Sequence, residues 1–206
     1  MNLPSQLLEK AVAEFAKLPG VGKKTALRYV LYLLRQNPED MKRWAATVTR
    51  LSEEIKYCEV CFAISEQNKC EICSNPSRDH STICVIEDIR DLIAIENTGQ
   101  YHGTYHVLGG IISPINGIGP MDLHIDPFIR RIEAGGVKEV IMALPSTMEG
   151  DTTNFYLYKK LGAFPVTLST LSRGVSVGDE LEYTDEVTLG QSILLRVPYE
   201  SSLSRK

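Results

Sequence analysis

The chain has 206 residues, 43% of them hydrophobic, with a net charge of −4. That length suits one medium domain with small modules, and the apolar content supports a packed core. The acidic total argues against a surface coated in nucleic-acid-binding charge. No apolar stretch is long enough to span a bilayer, and MNLPSQLLEK has no signal core, so no membrane is expected and the expected location is the cytoplasm.

The charge is unevenly spread. Residues 1–57 carry ten Lys and Arg against six Asp and Glu, a balance of +4, whereas residues 58–206 carry twelve against twenty, a balance of −8. A basic end on an acidic body is what phosphate contacts confined to one module would produce.

Leu3, Leu7, Leu8, Ala11, Val12 and Phe15 recur at helical spacing and predict an amphipathic helix near 4–17. Leu18-Pro19-Gly20-Val21-Gly22 breaks it. Apolar residues resume at Ala26, Leu27, Val30, Leu31 and Leu34, so a second helix starts just past the glycines. Gly20 and Gly22 strip side chains from the turn, Gly22 permitting close approach of a ligand, and the amides at the following helix start suit a phosphate oxygen. Lys23, Lys24 and Arg28 add positive charge there and would contact phosphates without reading bases. A third helix is capped by Asn37, with Pro38 in its first turn and an apolar stripe of Met41, Trp44, Val48, Leu51 and Ile55, where Trp44 is expected in the core.

Cys58-Glu-Val-Cys61 and Cys70-Glu-Ile-Cys73 are paired CxxC knuckles. Four thiolates close a tetrahedron, which suits a structural Zn²⁺ and leaves no open position for catalysis. Disulfides do not suit a chain without a secretion signal, a redox CxxC would not be doubled, and the even spacing is less typical of an iron–sulfur cluster. The loop 62–69 is short and polar, so the metal is expected to fold it. His80 is not needed as a ligand, and Cys84, in the apolar run Thr82–Ile86, reads as a buried small hydrophobe.

The rest alternates. Strand Thr82–Ile86 ends at Glu87, helix Ile89–Asn97 stops at Gly99, and strand Thr104–Leu108 leads into a Gly/Pro-rich loop at 111–121. Helix Leu123–Ala134, strand Lys138–Leu144, a loop Pro145–Asp151 opening a helix to about Leu161, and strand Pro165–Leu171 follow. This order predicts an α/β fold with a parallel sheet covered on both faces. Function in such sheets gathers at the C-terminal strand ends. Glu87, Glu149 and Asp151 fall there, and three converging carboxylates would hold Mg²⁺. Beyond residue 172 a short β segment and a helix are expected, packed on the sheet or on another subunit, with a frayed end at 199–206.

These motifs in this order are similar to those of the RecR family, bacterial recombination mediators: LPGVGKKTALR at 18–28, CEVC and CEIC within 58–73, VIED at 85–88, GGIISPINGIGP at 109–120, MEGDTT at 148–153 and RGVSVGDELEYTDEVTLG at 173–190. The resemblance implies a helix-hairpin-helix module over 1–57, a C4 zinc finger over 58–73 and a Toprim domain, of Rossmann type, over 81–177. It further implies a C-terminal segment over 178–206 with a Walker B-like motif and oligomer contacts, although no GxxxxGK[ST] loop is present. It implies sequence-independent DNA binding, no catalytic residue, and action with RecO and RecF to load recombinase at single-stranded gaps. A ring-like homo-oligomer such as a tetramer, and association with the nucleoid, also follow from it. The alternative is a Toprim-type Mg²⁺-dependent nuclease using the three acids. Two positions depart from the family's common residues: Leu144 stands for Asn and Asp151 for Glu, which is longer by one methylene.

Overall fold

The computed structural model describes residues 3–200, and the chain divides into two compact units, 1–55 and 56–206. In the first unit α1 (Gln6–Phe15) is capped by the Ser5 hydroxyl, and α2 (Lys23–Leu33) follows the glycine turn. Val12 of α1 and Ala26 and Val30 of α2 form its small buried core, with Leu8, Ala11 and Phe15 alongside. Gly20 sits at φ +76°, where a Cβ would be strained, so glycine is required to reverse the chain here. α3 (Pro38–Glu54) begins at the expected Asn37 cap and Pro38. Its apolar stripe, however, is not a core. No residue of α3 is buried, and Trp44, Val48 and Leu51 are 46%, 49% and 61% exposed. Among the described residues Trp44 meets one partner ring, stacked on Phe15 at 6.1 Å, so the expectation of a core tryptophan is corrected.

In the second unit β1 (Lys56–Tyr57) pairs antiparallel with β2 (Ile64–Ser65), and the one-turn α4 (Glu71–Ser74) follows. Next come β3 (Asp79–Ile86), α5 (Ile89–Asn97), β4 (Gly103–Val107), α6 (Ile125–Glu133), β5 (Glu139–Met142), α7 (Met148–Leu161) and β6 (Thr167–Thr170). The last four strands run parallel in the order β4-β3-β5-β6. Side chains alternate across β3 as a pleat requires. Ile83 and Val85 join α6 and α7 in one core, around Phe128, Leu157 and Leu161. Cys84 and Ile86 point the other way, into a second core with Leu92, Tyr105, Val107 and the four paired cysteines. Burial also pushes the Cys84 thiol up to about 12, so it is an inert core residue as expected. Beyond residue 172 the expected β segment is not formed among the described residues; a 3₁₀ turn at Leu181–Tyr183 leads instead to α8 (Glu186–Leu194), capped by Asp185. Of the end expected to fray, 201–206 lie outside the described residues.

Arg78, between α4 and the start of β3, ties these parts together. Its guanidinium forms a forked ion pair with Glu96 of α5, which also accepts from the Tyr105 hydroxyl at 2.6 Å. The Arg78 guanidinium, aided by Tyr105, holds the Glu96 carboxyl below the usual carboxylate range. A depressed acid stabilises the fold above its unfolded pKa and loses that contribution as pH falls through its folded value. Glu96→Gln is therefore expected to lower stability by about 1–3 kcal/mol at pH 7, from leaving charged donors poorly matched. The gap to the parent should close below about pH 4 in urea titrations; a gap independent of pH would mean that packing, not charge, is what the substitution disturbs.

Candidate functional site

The cysteines come together as their spacing predicts. Cys58, Cys61, Cys70 and Cys73 are all buried, and their sulfurs lie within 4.8 Å of one another, with Cys61 and Cys70 at 3.6 Å. A tetrahedron of Zn–S bonds near 2.3 Å places its sulfurs about 3.8 Å apart, so the donor set fits zinc. Each knuckle is shaped by its backbone. The Phe62 amide bonds the Cys58 carbonyl at 2.9 Å, and the Cys70 amide points at the Cys58 sulfur at 3.3 Å. Hydrogen bonding with Cys61 pulls the Cys70 thiol down, and the same contact with Cys70 pushes Cys61 up. Four thiolates this close cannot all be charged without a cation among them, which is the condition a dication satisfies. His80 bonds the Asn75 carbonyl at 3.1 Å and is no part of the set.

The knuckle is not a satellite. β4 is an edge strand, and the Val107 amide on its open side donates to the Cys61 carbonyl at 2.8 Å. Phe62, next in sequence, adopts φ +62°, a left-handed conformation that a bulky residue rarely takes. That twist lays its ring on His124 at 4.0 Å and edge-on to His106 at 5.5 Å. The loop 62–69, read from the sequence as short and polar, thus carries the aromatic that fastens it to the sheet. His106 is wholly buried; burial pushes its imidazole down to about 3, so it is neutral, and it bonds the His124 carbonyl at 2.8 Å. No sequence period identifies this trio, since its members come from three separate segments.

The acidic residues occupy the expected end of the sheet but do not form one donor set. Among the described residues, the four cysteines are the only group of three or more His, Cys, Asp or Glu side chains close enough to share an ion. Glu87 follows β3, and burial, reinforced by Asp91 and Asp88, raises its carboxyl above the usual range. Glu149 and Asp151 lie inside the first turn of α7 rather than in the preceding loop, with Thr147 as the cap. Two residues apart on a helix, their backbone positions are about 200° apart around its axis. Asp151 instead pairs with Arg173 at 2.6 Å. Gly150 between them is needed for space: an added Cβ would lie 2.0 Å from the Pro145 carbonyl oxygen. Leu144, at the departing position, is buried in the apolar core with Leu157.

In the first unit, α2 starts at Gly22 with no side-chain cap and no acid in its first turn, leaving its amides open. Among the described residues, no side chain or backbone beyond the chain neighbours lies within 4 Å of where a Cβ on Gly20 or Gly22 would sit. Lys17, Lys42, Arg43 and Arg50 are each paired with an acid, whereas Lys23, Lys24 and Arg28 make no ion pair among the described residues. Arg28 lies over the Tyr29 ring, 5.7 Å from its centre.

A helix-hairpin-helix unit, a four-thiolate knuckle closing a sheet edge and a parallel, doubly covered sheet define the class: a zinc-finger protein with a Toprim domain. Family models match in the same order, namely the RecR helix-hairpin-helix over 8–51, the RecR four-cysteine zinc finger domain over 55–75, the Toprim domain over 81–172 and the RecR C-terminal region over 174–197. The recombination protein RecR of Phocaeicola vulgatus is 62% identical over 193 residues, 94% of each chain. Those of Bacteroides fragilis and Flavobacterium johnsoniae are 57% and 56% identical, each over 97–98% of both chains. The chain belongs to the RecR family of recombination proteins. Its knuckle is the family's four-cysteine zinc finger, and no helix among the described residues is long and apolar enough to cross a membrane.

Proposed function

We propose that this protein is a non-enzymatic, DNA-binding mediator of recombinational repair, which works with RecO and RecF to load recombinase at single-stranded gaps. The observation that carries the DNA reading is the start of α2, where an uncapped helix end without acids sits beside Lys23, Lys24 and Arg28, none of them ion-paired among the described residues. Open amides and unpaired cations attract phosphate, and neither reads bases. One such module offers few contacts, so a homo-oligomer, for instance a tetrameric ring, would gain affinity by holding several on one strand. Glu87, Glu149 and Asp151 serve in this reading as a patch for a protein partner or a divalent ion. The splayed acids of α7 and the Arg173 pair on Asp151 favour this over a Mg²⁺-dependent nuclease. Cytoplasmic location beside the nucleoid follows from such a role.

The test is fluorescence anisotropy on labelled DNA of unrelated sequences. The Lys23→Ala/Lys24→Ala/Arg28→Ala variant, folded and with its oligomeric state intact, should bind all of them at least tenfold more weakly. Its log–log salt slope should fall by about one per lost contact in each bound module. Unchanged affinity would reduce the hairpin to a structural turn. The same DNA incubated with Mg²⁺ should remain intact; cleavage abolished by Glu149→Ala would move the assignment to the nuclease.

A further inference from the structure

The Gly/Pro-rich loop between β4 and α6 has a closed tip. Ser113 and Ile118 exchange two backbone hydrogen bonds, both at 2.9 Å. Between them the chain reverses through a 3₁₀ turn at Pro114–Asn116 and Gly117 at φ +70°. The tip carries the one Asn-Gly pair in the chain, Asn116-Gly117, and it faces solvent, with Ile115 beside it 93% exposed. Asparagine is a thermolabile residue, and its weak point is the side-chain amide carbon. The backbone nitrogen of the next residue can attack that carbon and close a succinimide ring, and a side chain on that next residue hinders the approach. Gly117 has none, and among the described residues no heavy atom beyond its chain neighbours lies within 4 Å of where a Cβ would sit. Two hydrogen bonds oppose the reaction. The Asn116 side-chain amide donates to the hydroxyl of the buried Ser113 at 2.9 Å, and the Gly117 amide, which would have to attack, donates to the Pro114 carbonyl at 3.1 Å.

We propose that Asn116 is a deamidation site, latent in the native turn and released when these two bonds open. The Gly117 nitrogen forms a bond to the Asn116 side-chain carbonyl carbon, the bond from that carbon to the amide nitrogen breaks, and ammonia leaves with the proton that the Gly117 amide gives up. Water then opens the succinimide at either carbonyl, leaving an aspartyl or an isoaspartyl residue at 116. Both products add a negative charge. The isoaspartyl link also lengthens the backbone by an atom, so the paired bonds between Ser113 and Ile118 lose their register. The position of the loop gives this a consequence. The Ile112 amide donates to the Thr153 hydroxyl at 2.9 Å, which ties the loop to α7, the helix that bears Glu149 and Asp151. Deamidation therefore adds charge to, and loosens, a loop anchored on the acidic helix.

The experiment incubates the full-length protein in warm, mildly alkaline buffer and follows it by peptide-mapping mass spectrometry, which separates the amide from its aspartyl and isoaspartyl products. Conversion should appear at Asn116, while Asn68 and Asn97, exposed but followed by Lys69 and Thr98, stay amides. Ser113→Ala removes the acceptor and should convert about fivefold faster, the factor that one hydrogen bond of about 1 kcal/mol is worth. The parent chain unfolded in urea has lost both bonds and should convert at least as fast as that variant, which tests the protection without any substitution. Hydrogen exchange should show the Ile112 and Ile118 amides losing protection in the isoaspartyl fraction, whereas Asn116→Asp, with the charge but the normal backbone, keeps it. No conversion at Asn116 in either the folded or the unfolded chain overturns the site. Equal rates folded and unfolded, or slower conversion in Ser113→Ala, overturn the protecting turn. Unchanged exchange in the isoaspartyl fraction overturns the loosening of the loop.

Discussion

One zinc ion per chain is expected in protein purified without added metal, and its removal is expected to cost more than the finger alone. Isolated zinc peptides gain on the order of 10–16 kcal/mol from the ion, and here the same sulfurs belong to a core shared with Tyr105, Val107 and Ile86. Loss of the knuckle also frees the Val107 amide from the Cys61 carbonyl and lifts Phe62 off His124. Chelation, or Cys61→Ser, should therefore lower stability by at least about 5 kcal/mol, a conservative share of that binding energy. Hydrogen exchange should show the damage spreading from 56–75 into β4, while the core between β5, α6 and α7 on the opposite face keeps its protection. Iron in place of zinc, or a fully folded metal-free sample, would refute the metal assignment. Exchange confined to the finger, with β4 amides unaffected, would show that the knuckle is an independent module after all.

The second large effect is expected at Gly150. It lies in the first turn of α7 with an ordinary helical backbone, so nothing about its dihedrals demands glycine. What demands it is the Pro145 carbonyl oxygen, 2.0 Å from the position of a Cβ. Backbone cannot swing aside as a flexible side chain would. Gly150→Ala must push α7 away from the end of β5, and overpacking of this kind costs about 3 kcal/mol, or about 10 °C in Tm for a chain of this size. Gly162→Ala is the control: its nearest neighbour would be a carbonyl oxygen at 3.5 Å, ordinary contact, so its Tm should move by no more than a few degrees. Similar losses in both variants would mean that the close approach to Pro145 does not explain the effect at 150, since Gly→Ala by itself raises helix propensity. Because Glu149 and Asp151 flank this glycine, the Gly150 variant should also disturb whatever the acidic patch binds.

Several features were legible along the chain because each is written in short-range pattern. The paired CxxC spacing announced four ligands for one ion, and they meet. The Asn37-Pro38 start and the Gly20 reversal are local backbone chemistry, and the structure has each where the residues predict it. The β3 run Ile83–Ile86 showed itself as apolar on both faces, as a central parallel strand must be. The apolar stripe of α3 was equally legible as a stripe, but periodicity says only that residues share a face, not that anything covers it, and Trp44, Val48 and Leu51 face outward.

The acidic trio shows the same boundary. Strand-end placement of Glu87, Glu149 and Asp151 followed from element order alone. Whether they converge depended on where α7 begins, and a start at Met148 sets the two helix acids on opposite sides. By itself, then, the sequence determined the order of modules, the ligands of the zinc site, the parallel α/β class and the basic hairpin, because these follow from spacing, capping and charge within about a dozen residues. Only the tertiary structure decided that the knuckle closes the β4 edge through Cys61 and Phe62, that Pro145 makes Gly150 obligatory, and that Arg173 reaches Asp151 across 22 residues. Those are contacts between segments, and their geometry depends on how separately formed elements pack, which no local period encodes.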